Sequence, residues 1–139
     1  MKLWWGKQQR QTLPVDERRW VVVDVESSGL DPTRDALLAI AVIAVQVDWP
    51  VKRMRIDAGD SCELVLRQDA ASSRGNILLH GIGAQMQLAG LEPVAALQSW
   101  QRFAATSPVL AFHSAFDQTV LGRYCRRHLG GIYPIPGWI

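Results

Sequence analysis

The chain has 139 residues, 48% of them apolar and 20% charged, so it is long enough to bury a real core as one domain and too apolar for a disordered tract. A formal charge of +2 does not by itself argue for nucleic acid, and Cys62 and Cys125 lie in unrelated segments, which excludes a disulfide scaffold or cysteine zinc site and points to free thiols in a reducing compartment. Met1 to Lys7 is too short for a signal peptide, the residues after it are too polar for one, and no apolar run reaches membrane length; the default expectation is a cytoplasmic protein without a membrane partner.

Residues 1–18 read as a loosely held arm containing Trp4, Trp5 and Pro14, and 19–139 as the domain. Trp20 to Glu26 is a short β-branched run and predicts a buried strand, broken at Gly29-Leu30-Asp31-Pro32. Leu37 to Asp48 favours the pleat and predicts a second strand. After a turn at Trp49-Pro50, Val51–Ile56 and Cys62–Arg67 predict a third strand interrupted at Ala58-Gly59-Asp60, and the short connections imply antiparallel neighbours. Gln68–Gly75 reads as a polar loop, and Asn76–Gly90 shows no pattern that assigns it. Pro93 suits a first helical position, and Val94, Leu97, Trp100 and Phe103 carry helical periodicity towards Thr106. Pro108–Phe112 predicts a strand that returns through that helix and is therefore parallel to an earlier one. Ala115–Leu129, with Ser114 as N-cap, predicts a last helix with Arg123, Arg126 and Arg127 on its polar face. The sum is an α/β chain: three antiparallel strands plus a parallel strand in a mixed sheet, with flanking helices.

Two points in this order carry chemistry. Asp24 and Glu26 are two apart at a strand end, so both carboxylates point the same way, just ahead of a glycine turn. In isolation a solvated strand end is the better explanation of such a pair; a divalent-metal site explains it together with Asp117, a carboxylate in the first turn of a helix that comes directly after a strand. At that position the helix dipole is expected to keep Asp117 ionised. Hard oxygen donors without cysteine suit Mg²⁺ or Mn²⁺.

These residues resemble the DEDD superfamily of 3′-5′ exonucleases, which includes the proofreading subunit of bacterial DNA polymerase III (the DnaQ-like branch) and ribonuclease T. Val23 to Gly29 is similar to the first motif, strand-Asp-x-Glu-(Thr/Ser)-(Thr/Ser)-Gly. Phe112 to Asp117 is similar to the second, with Ser114 where Asn is usual and a spacing one residue shorter. His80-Gly81-Ile82 is similar to a turn found between them. The resemblance implies a ribonuclease-H-like fold and hydrolysis of phosphodiester bonds at the 3′ ends of DNA or RNA, single-stranded or frayed, by two Mg²⁺ or Mn²⁺ ions. It implies that Asp24 bridges both ions, that Glu26 serves the ion on the side of the attacking water, and that Asp117 serves the other. Ser27, Ser28, Gly29 and Leu30 would cradle the terminal nucleotide, with His113 at the strand end beside them.

One part of the pattern is absent. The branch with a catalytic histidine ends on His-x4-Asp, yet no Asp or Glu comes after Asp117, and His128 cannot open that motif. Residues 19–139 therefore read as an incomplete exonuclease domain, inactive in this form, with the last strand expected to begin near Gly137-Trp138-Ile139. The alternative is a non-catalytic domain of the same fold that binds nucleic acid or a partner. His80 reads as a turn or packing residue, His128 as a cation at a helix C-terminus, and Trp20 and Trp49 as core residues or base-stacking platforms. The clusters Arg18-Arg19, Lys52-Arg53 with Arg55, and Arg123 with Arg126-Arg127 fit phosphate contacts and ordinary solvated faces alike.

Overall fold

Strand β1, Arg19–Ser27, alternates between two environments, because successive side chains of a strand point to opposite sides. Val21, Val23 and Val25 are buried, whereas Asp24 is exposed and Trp20, Val22 and Glu26 are half-buried. The computed structural model describes residues 15–131 and Trp138; Trp4, Trp5 and Pro14 of the arm lie outside the described residues. Strand β2, Leu37–Asp48, has the bounds its β-branched run predicts and pairs antiparallel with β1, Val23 opposite Val42 and Asp24 opposite Ala41. Strand β3, Arg53–Val65, pairs antiparallel with β2 over its whole length. The expected interruption at Ala58-Gly59-Asp60 is a bulge: Asp57 stands opposite Ala44 and Ser61 opposite Ile43, so the intervening residues loop out while the strand continues.

Two short helices occupy the stretch where the sequence shows no pattern, α1 over Arg74–His80 and α2 over Ala84–Leu88. Helix α3, Pro93–Ala104, begins at its proline and buries Ala96, Leu97, Trp100 and Ala104. Strand β4 is reduced to Val109–Leu110 and lies parallel to β1, Val22 opposite Leu110. Helix α4, Ser114–Leu129, buries Asp117, Val120, Leu121, Tyr124 and Cys125. Its N-cap is His113 and not Ser114, and no side chain caps it.

The sheet order is β3-β2-β1-β4, the expected mixed sheet of three antiparallel strands and one parallel. An isolated parallel bridge joins Val109 to Trp138, close to where a last strand is expected to begin. Helices α3 and α4 share one core with Val21, Val23, Val25, Ile40 and Val42, which places both on the same face of the sheet. On the opposite face, Ile82, between α1 and α2, packs on Leu38 and Ala39. Both cysteines are free, and burial pushes the Cys125 thiol up to about 12. Among the described residues no helix is long and apolar enough to cross a membrane.

Candidate metal and nucleotide site

The carboxyl end of β1 leads into a loop that is bonded along its length. Ser28 N–H donates to the Ala36 carbonyl at 2.9 Å, and Ala36 N–H returns to the Ser28 hydroxyl at 2.8 Å. The Ser27 hydroxyl donates to the Gly29 carbonyl. Asp35 accepts from Asp31 N–H at 2.8 Å, and Asp31 accepts from the backbone and hydroxyl of Thr33. A Cβ on Gly29 would run into the Asp35 carboxylate, so any larger residue there would displace Asp35 from its bond with Asp31 N–H. Helix α4 clamps the loop from beneath: Arg123 donates to the Pro32 and Asp35 carbonyls, and the Tyr124 hydroxyl accepts from Leu37 N–H at 2.9 Å. Ser27 and Ser28, expected to face a nucleotide, thus spend their hydroxyls on closing the loop, while Leu30 at its tip is 94% exposed.

A second brace comes from α1. Ile82 N–H donates to His80 Nδ1 at 2.9 Å, which leaves the proton on Nε2, 2.9 Å from the Asn76 side-chain oxygen. Asn76 in turn donates to the Ser27 carbonyl at 3.2 Å. His80 is therefore the turn residue it was expected to be, and the sequence reading missed Asn76, which lies in a helix that buries none of its residues and so leaves no periodic signal.

Asp24 stands exposed on the face of β1 away from α3 and α4, level with Phe112 if the parallel register with β4 is run on by two residues. Phe112 is fully exposed there. Burial raises the pKa of Glu26 above the usual carboxylate value, and the negative charges of Asp24 and Glu63 add to the rise. Glu63 was not singled out from the sequence; the register Asp24, Ala41, Glu63 across three strands puts it on the same face. Asp117 is only 3% exposed, and burial raises its pKa too; Asp24 adds to this, while its own N–H, the Val25 N–H and His113 oppose it. Burial works against the help expected from the helix start, so the Asp117 carboxyl gives up its proton less readily than a free aspartate. His113 is exposed and stacks on Phe116, ring centroids 6.0 Å apart.

Asp24 thus repels both Glu26 and Asp117. Oxygen donors with surplus negative charge match a hard divalent cation in chemistry. As placed, no three His, Cys, Asp or Glu side chains among the described residues stand together closely enough to hold an ion.

Other expected contacts fall elsewhere. Trp20 and Trp49 sit together, 6.0 Å between centroids, with both indole N–H groups on the Glu17 carbonyl. Trp20 is four residues before Asp24, about 13 Å along the strand, so this pair is remote from the acids. Of the basic clusters, Arg19 is held by Asp60, the Phe103 carbonyl and Ser107, and Arg123 by the loop carbonyls, whereas Arg126 and Arg127 are exposed.

No protein-family model matches the sequence, and no curated protein matches it closely. Solved structures do. E. coli exonuclease I in complex with a dT13 oligonucleotide is 19% identical, matching 81% of this chain and 24% of that one with a TM-score of 0.63. A product-bound structure of exonuclease I gives 19% identity, 81% and 26% coverage and a TM-score of 0.65. Exonuclease I with the inhibitor BCBP gives 17% identity, 86% and 26% coverage and a TM-score of 0.69. The chain spans about a quarter of the length of these proteins, and at such identity the likeness is one of fold. The fold is the mixed α/β sheet of the ribonuclease-H-like exonucleases, as its strand order and helices led one to expect.

Proposed function

We propose that residues 19–139 carry the metal- and nucleotide-binding part of a 3′-5′ exonuclease site of the DnaQ and ribonuclease T type, in a cytoplasmic protein. In this reading Asp24, Glu26 and Asp117 hold two Mg²⁺ or Mn²⁺ ions, and the turn Ser27, Ser28, Gly29, Leu30 with His113 receives the 3′ end of a DNA or RNA strand. The observation that carries it is the position of Asp24, whose charge acts on both other carboxyls although they come from β1 and from a helix far along the chain.

Bound divalent ions supply charge relief on the phosphate and acidify water. The chain's own residues contribute placement. Asp24 and Glu26 present oxygens from a strand end, Asp117 offers a buried carboxyl from the start of α4, and the clamped loop presents Leu30 and the backbone beside Gly29 to a base and sugar. No carboxylate comes after Asp117 in these residues. The second reading is a non-catalytic domain of the same fold that binds nucleic acid or a partner.

Titration with Mn²⁺, monitored by the loss of its free paramagnetic signal, tests the site. The wild-type chain is expected to bind, and Asp24→Ala to lose binding with an unchanged melting temperature. A wild-type chain that leaves millimolar Mn²⁺ free overturns the proposal. Adding a labelled single strand to the Mn²⁺ form separates the readings: shortening from the 3′ end supports catalysis, and retention without shortening supports binding alone.

A further inference from the structure

Strand β3 ends the sheet, and among the described residues its outer side has no partner strand. Its first half is exposed on both faces: Arg53, Met54, Arg55 and Ile56 are all exposed, with Met54 at 59% and Ile56 at 67%. Sheets usually blunt such an edge with exposed charges, proline, a bulge, an inward charge or a very short strand; here the charges are of both signs, Arg55 beside Asp57, so they can pair as well as repel. Here the bulge at Ala58–Asp60 limits the edge, and the segment before it is regular. Ile56 lies at the end of an apolar row, opposite the buried Val45, which is opposite the half-buried Trp20, so an exposed side chain continues that row.

We infer that this edge pairs with the same edge of a second copy of the chain, antiparallel, about a two-fold axis through Ile56. Directly opposed residues of an antiparallel pair face the same side, so an axis normal to the sheet has to pass through a residue. An axis at Met54 would set Arg53 against the second copy's Arg55, one at Arg55 would set that arginine against itself, and one at Asp57 would set two aspartates together. At Ile56 the charges match: Arg55 meets the second copy's Asp57, and Asp57 meets its Arg55. Within one chain Arg55 and Asp57 already stand 3.7 Å apart, so the pairing makes an alternating ring of four charges on one face. On the other face Ile56 meets Ile56, while Ala58, which this register sets opposite Met54, lies in the bulge. The row Trp20, Val45, Ile56 then runs on through Ile56, Val45 and Trp20 of the second copy. Opposite-charge and aliphatic cross-strand pairs are the favourable kinds, and like charges directly opposite are unfavourable.

Sedimentation of the full chain over a concentration series reads the mass directly. The wild type is expected to pass from 15.5 kDa towards about twice that value as concentration rises. Arg55→Glu sets glutamate against aspartate and is expected to remain at monomer mass at every concentration. The charge swap Arg55→Asp with Asp57→Arg restores the opposite pairs and is expected to regain the dimer, which a merely structural role for either residue does not predict. Circular dichroism checks that each variant is folded. A wild type that stays monomeric, an Arg55→Glu variant that still dimerises, or a folded charge-swap variant that stays monomeric overturns the inference.

Discussion

The two faces of β1 meet opposite environments within one run of residues. On one side Val21, Val23 and Val25 lie beneath α3 and α4 and belong to the main core. On the other, Asp24 is exposed and Glu26 half-buried, and the charges that act on Glu26 are those of Asp24 and Glu63. A period of two is enough to assign folding to one set of side chains and chemistry to the other, and it implies that substitutions on the two faces separate cleanly in their effects.

The largest effect is expected on the covered side. Trp100 is fully buried between α3 and the sheet, and Trp100→Ala should lower stability by about 4 kcal/mol, measured by urea unfolding. A loss comparable to that from Asp24→Ala would break the division between the faces.

Asp117 is the group that crosses it, a residue of the proposed site sunk in the covered layer. Because burial raises its folded-state pKa, the folded protein holds that proton more tightly than the unfolded chain does. The associated stability is fully present below the ordinary aspartate pKa of 3.8 and is lost as pH rises through the higher folded value. Glu26 acts in the same direction. Asp117→Asn keeps the shape and removes the titration, so thermal melts taken from pH 3.8 upward should show a flatter decline than the wild type and a higher melting temperature at neutral pH, with Mn²⁺ binding weakened. A decline as steep as the wild type's would mean that Asp117 does not titrate in this window.

The smallest effect belongs to the loop tip. Leu30→Ala removes a side chain that is 94% exposed, and its melting temperature should stay within about 2 °C of the wild type. A larger fall would show that Leu30 packs against the domain in solution and would sharpen the boundary of the covered side.

Legibility in the residues obeys the same logic of faces. The bounds of β2 were legible because its β-branched run is continuous and bounded by turns, and α3 was legible from Pro93 and its periodic apolar side chains. Helices α1 and α2 were not, because α1 buries nothing and α2 buries only Gln87, which bonds to Ser72 and the Ile82 carbonyl; helices without an apolar stripe leave no period to read. The bulge in β3 read as an interruption because Gly59 breaks the pattern, while its partner in the fold, the Arg19 to Asp60 ion pair at 2.7 Å, joins positions far apart in sequence. Asp24, Glu26 and Asp117 were legible as candidates from strand ends and a helix start. That Asp24 acts on both of the others, and that Ser27 and Ser28 are occupied within their own loop, required three-dimensional contacts.

The loop from Ser27 to Leu37 is tied at Ser28, Asp31, Asp35 and Leu37, from above by Asn76 and from below by Arg123 and Tyr124. Exposure and mobility are therefore separate properties here. A molecule that docks against Leu30 meets a backbone already ordered by folding, so little conformational entropy is lost on contact, and affinity at this tip depends on the quality of the contacts rather than the cost of arranging them.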